Sequence, residues 1–86
     1  MVGHEIEKMV QTAIEGWTLL PQDSITDDAV IGADLLFDEE GIGDLVDELE
    51  SEIGRRFSEG LDIVTLLKFT VVELKSLVVA NVLGTN

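Results

Sequence analysis

The sequence predicts an all-α fold, a small four-helix bundle with a long loop between helices one and two. Three observations carry that prediction. Apolar residues recur at helical spacing in three separate stretches, Thr70 and Glu73 stand at capping-box spacing, and the single proline, Pro21, falls just after the first stretch. At 86 residues the chain has room for one domain, residues 1–86, with a modest core that depends on good helix packing. Its 45% hydrophobic content is far above that of a disordered acidic tail.

The first helix is expected over residues 3–20. Ile6, Met9, Val10, Ala13, Ile14 and Trp17 form one stripe, so Trp17 is read as core, together with Phe37, Phe57 and Phe69. Pro21 stops the helix because it cannot extend the hydrogen-bond ladder. His4, in the first turn, reads as an exposed polar residue. The following stretch, 22–36, mixes Asp, Ser, Thr and Gly with scattered apolar positions. It reads as an ordered loop that Val30, Ile31, Leu35 and Leu36 pin onto the core; loops of this length are usually packed or functional.

The second helix is expected over 38–58, with Ile42, Leu45, Val46, Leu49, Ile53 and Phe57 on its buried stripe. Asp38, Glu39 and Glu40 stand where carboxylates complement the helix dipole, and Arg55 and Arg56 where cations do. Gly41 and Gly43 weaken the first turn by about 1 kcal/mol each relative to alanine. A short third helix over 61–68 leads to a fourth over 70–83. There Thr70 and Glu73 form the cap, Val71, Leu74, Val78 and Val82 form the stripe, and Gly84 ends the run. The valines of this segment also permit a strand.

Eighteen acids against five bases give a net charge of −13. Nucleic acid and anionic membrane would both repel such a chain, which argues against either as a partner. A basic protein surface would attract it, with association that weakens as salt rises, although solubility alone accounts for the charge equally well. The absence of cysteine excludes disulfides, thiolate catalysis and cysteine zinc sites, and is compatible with the reducing cytoplasm, the expected location. The first residues lack the features of a secretory signal, and no run reaches ~18 uncharged apolar residues, so no membrane span is expected.

The order helix, long loop, helix, short helix, helix at this length and acidity resembles the acyl carrier protein family. Ile25-Thr26-Asp27-Asp28-Ala29-Val30-Ile31 resembles the family's loop text V-T-P-D-T-S-L, and Asp34-Leu35-Leu36-Phe37-Asp38 resembles D-L-G-F-D. Leu45-Val46 and Leu49-Glu50-Ser51-Glu52-Ile53 follow L-V…L-E-E-E-F, and Lys68-Phe69-Thr70-Val71-Val72 follows K-I-T-T-V. The similarity as a whole covers residues 5–82, and these short segments between Ile25 and Val72 carry it. The resemblance implies a 4′-phosphopantetheine arm on the serine of an Asp-Ser-Leu motif at the head of the second helix. In the ungapped register that serine is replaced by Glu39, within Asp38-Glu39-Glu40. In a second register, Gly41-Ile42-Gly43-Asp44-Leu45 resembles G-I-D-S-L, and the serine is replaced by Asp44. A carboxylate cannot form the phosphodiester, so no arm is expected at either position. Asp23-Ser24-Ile25 also reads like the motif but directly follows the first helix, which makes Ser24 the alternative attachment site; Ser51 and Ser58 read as ordinary polar positions.

Asp38, Glu39, Glu40, Asp44, Asp47 and Glu48 crowd the first half of the second helix. The resemblance implies that they form the acidic face by which carrier proteins dock on basic patches of their enzymes; a plain solvated face is the other reading. The EF-hand pattern is absent, so no dedicated metal site is expected. One His, no Cys and no Tyr leave the usual nucleophile–base arrangements unassembled, and catalysis is not expected. The leading expectation is a carrier-like interaction module without an arm, docking on a basic partner in lipid or polyketide metabolism. The alternatives are a working carrier loaded at Ser24 and, from a different class, an acidic inhibitor or DNA mimic. Fourteen of the eighteen acids fall between Asp23 and Asp62, a concentration that a mimic spreading charge at phosphate-like spacing would not need. Self-association through the apolar last helix is a further possibility.

Overall fold

A computed structural model describes residues 2–54, 56 and 61–84. It is an all-α domain of four principal helices: α1 (Gly3–Trp17), α2 (Glu39–Ile53), a six-residue 3-10 helix (Ile63–Lys68) and α3 (Val71–Val82). A 3-10 turn, Gln22–Ser24, interrupts the long connection from α1 to α2. Among the described residues there is no strand, and none of the helices is long and apolar enough to cross a membrane. The radius of gyration, 11.8 Å, matches the roughly 12 Å expected of a single compact unit of this length.

Helix α1 packs against both α2 and α3, and α2 also packs against the 3-10 helix. The stripes meet in one core: Ile6, Val10, Ala13 and Ile14 from α1, Ile42, Leu45, Val46 and Leu49 from α2, and Val71, Leu74, Val78 and Val82 from α3. Met9 and Ile53 are only partly buried. Phe37 and Phe69 pack at the margin of the core, while Phe57 lies outside the described residues.

Helix ends explain where the boundaries depart from expectation. Helix α1 stops at Trp17, three residues short of the expected end, because Thr18 turns extended (φ −101°, ψ 149°) and its hydroxyl accepts from the Leu20 amide at 3.2 Å. That local bond offers the backbone an alternative to another helical turn. Helix α2 closes at Ile53, where Gly54 takes a left-handed φ of 80° that any side chain would oppose. No basic residue therefore stands in its last turn; Arg56 lies beyond the helix, and Arg55 and Ser58 lie outside the described residues. The third helix is a 3-10 helix, starting at Ile63 with Asp62 accepting from the Val64 amide.

The last segment is helical, not a strand, and its start is fully accounted for. Thr70 and Glu73 make both bonds of the capping box, Glu73 N donating to Thr70 Oγ1 at 3.3 Å and Thr70 N donating to Glu73 Oε1 at 2.9 Å. The next orphan amides are taken by the long loop: Val71 N donates to Ala29 O at 3.0 Å and Val72 N to Asp27 O at 2.9 Å. In return Ile31 N donates to Phe69 O at 2.9 Å and Gly32 N to Leu67 O at 2.8 Å. Val30 and Thr70 form an isolated antiparallel bridge at this seam. Gly32 is required there, since a Cβ would stand 2.9 Å from the Leu67 carbonyl oxygen. Lys75 adds an ion pair to Asp27 at 3.2 Å. Removing the cap by Thr70→Ala is expected to cost about 1 kcal/mol and to lower the melting temperature by roughly 4–8 °C, measurable by thermal circular dichroism.

Candidate functional site

Asp38 is the N-cap of α2, its carboxylate accepting from Gly41 N at 2.7 Å. Glu39 is the first helical residue and Glu40 the second, so the helix opens on three acids that its dipole favours. Burying Ile42, Leu45, Val46 and Leu49 turns the opposite face outward, and Glu40, Asp44, Asp47 and Glu48 are all exposed on it. The predicted docking residues are thus brought onto the head and outer face of one helix. Among the described residues, the side chains of Glu39, Glu40, Asp44 and Asp47 have no hydrogen-bond or ion-pair partner. Like charges at spacings of three and four cost a helix about 0.2–0.5 kcal/mol per pair, so this row is not explained by local stability.

Glu48 differs from its neighbours. Trp17 Nε1 donates to Glu48 Oε2 at 2.6 Å, tying the last residue of α1 to the middle of α2. Trp17, expected in the core, is instead 43% exposed. It lies on the α1 stripe but is the last residue of the helix and falls outside the buried cluster. Leu36, expected to pin the loop, is 73% exposed, whereas its neighbour Leu35 is buried. Its backbone is left-handed (φ 65°), a conformation that costs a non-glycine residue about 1–2 kcal/mol. Asp34 supports the turn by accepting from Val30 N at 2.8 Å, and Ile31 and Leu35 anchor it from below.

These two departures create a surface feature that helical periodicity did not signal. Trp17, Leu19, Leu20, Leu36 and Phe37 wall an apolar groove of about 270 Å³ between the end of α1 and the head of α2. A second groove, of about 350 Å³, lies on the other side of Trp17 against Thr12, Gly16, Glu48 and Glu52. The one available signal was Leu36 itself, a leucine standing where the D-L-G-F-D pattern has glycine.

Asp44 lies inside α2, more than a turn from its start. Ser24 is exposed at the end of the 3-10 turn, its amide donating to Pro21 O at 2.9 Å, away from the start of any α-helix. Ser51 is exposed near the end of α2. Among the described residues no three His, Cys, Asp or Glu side chains are grouped so as to hold a metal ion. Comparison with protein-family models, with curated proteins and with solved structures found no match.

Proposed function

We propose that this protein is a non-enzymatic, carrier-protein-like interaction module that docks through α2 on a basic surface of a partner in lipid or polyketide metabolism, without a phosphopantetheine arm. The observation that carries this reading is the row of carboxylates on α2, Glu39, Glu40, Asp44 and Asp47, which have no partner among the described residues. Their mutual repulsion is relieved when a partner supplies the cations, which makes them suited to fast, salt-sensitive association.

Two backbone features support the carrier relationship and favour its ungapped register. Glu39 is the first residue of α2, the position at which the family attaches its arm. Leu36 is left-handed at the residue where the family pattern has glycine, the residue that adopts this conformation without strain. In this register the carboxylate of Glu39 replaces the nucleophilic hydroxyl, and the acidic face persists without the cargo.

Incubation with coenzyme A and a promiscuous phosphopantetheinyl transferase tests the missing arm. The intact mass is expected to stay unchanged, and Glu39→Ser is the variant to load beside it. A gain of one phosphopantetheine on the unaltered chain, mapped to Ser24, would establish the working-carrier alternative instead.

A further inference from the structure

The groove beside Trp17 says more about the partner than the acidic face does. We propose that it seats a bulky apolar side chain from a partner segment whose flanking residues are lysine or arginine. The proposal rests on the docking reading above and names the chemistry of what docks.

Scattered exposed leucines need no explanation, but here Trp17, Leu19 and Leu36 share one groove. Leu36 is presented to solvent by a backbone conformation that glycine would adopt without strain. Its side chain is thus held outward at the expense of the fold. The groove is about 270 Å³ and open, which suits the insertion of a side chain. Trp17 lines the notch, and tryptophan is among the residue types enriched at interface hot spots.

Charge selects the occupant. No Lys, Arg or His occurs between Lys8 and Arg55, and that interval supplies every wall of the groove. Phe37 runs directly into Asp38, Glu39 and Glu40, and Glu48 grips the indole of Trp17. An apolar anchor entering the groove brings its neighbours against these carboxylates, so lysine or arginine complements them and an acidic residue is repelled. A second copy of this chain, itself carrying −13, is disfavoured for the same reason, as are nucleic acid and anionic lipid.

Trp17, the single tryptophan, is a built-in reporter of the groove. Two synthetic amphipathic peptides rich in Lys and Arg, one with a central Phe and the other with Ala at that position, are titrated while its emission is followed. The Phe peptide is expected to blue-shift Trp17 and to bind roughly 10-fold more tightly than the Ala peptide. Leu36→Gly is expected to remove most of that difference while melting at or above the temperature of the unaltered protein, which excludes unfolding as the cause. The triple variant Glu40→Lys, Asp44→Lys, Asp47→Lys is expected to weaken both peptides alike. Equal binding of the two peptides, with Leu36→Gly inert, would overturn the groove proposal and leave docking through α2 standing. Tight Phe-peptide binding that ignores both the triple variant and added salt would overturn the electrostatic reading beneath it. Failure of both peptides to bind at all would remove both.

Discussion

Replacing Ile31 with alanine is expected to destabilise the fold by about 2–5 kcal/mol, as much as a substitution in a helix core. Ile31 belongs to the connection between α1 and α2, in no helix, yet it is fully buried, and its amide is bonded to Phe69 O. Its side chain is packed in the same cluster as Ile14, Leu45 and Leu74. Truncation therefore leaves a cavity that neighbouring helices cannot close without breaking the seam to α3. A domain of this size has roughly 4–13 kcal/mol of total stability, so the loss is a large fraction of the whole. A melting-temperature drop of roughly 10 °C or more is expected, with urea denaturation giving the free energy. A drop of only a degree or two would mean that the loop is a lid over a core completed by the helices alone.

On the docking reading proposed above, reversing charge at Glu40, Asp44 and Asp47 to lysine is expected to weaken binding to a basic partner surface roughly 10- to 100-fold. These three residues are chosen because their carboxylates have no partner among the described residues, whereas Glu48 also holds Trp17. The variant should keep the fold, because the opposite-charge pairing gained with Glu48 offsets the loss of an acid that the helix dipole favours at Glu40. Most of the loss should appear in the association rate, and the salt dependence of the remaining binding should flatten. Surface plasmon resonance across a salt series reads both. Unchanged affinity at low salt would exclude docking through this face.

The helical stripes, the capping box and the acidic head of α2 were legible because each is a local pattern. A side chain's direction on a helix follows from 3.6-residue periodicity, and a cap is defined within four residues. The carboxylates of α2 were legible for the same reason, since burial of Ile42, Leu45, Val46 and Leu49 sends Glu40, Asp44 and Asp47 the other way. Other particulars were not local. The exit of the chain from α1 at Thr18, and the 3-10 form of Ile63–Lys68, reflect competing turn and capping bonds that periodicity does not weigh.

By itself, then, the sequence determined the class of fold, the buried faces of its three α-helices, the cap of α3 and the charge that any partner must answer. The tertiary structure alone decided which apolar residues are left uncovered. Trp17 continues the α1 stripe, but periodicity states only where a side chain points, and the last residue of α1 falls outside the buried cluster. Leu35 and Leu36 are adjacent leucines that hydropathy and periodicity do not tell apart. A left-handed backbone at Leu36, held by the packing of Ile31 and Leu35 beneath it, buries one and exposes the other. Contacts between residues far apart in the chain choose that backbone state, and with it the groove beside the acidic helix.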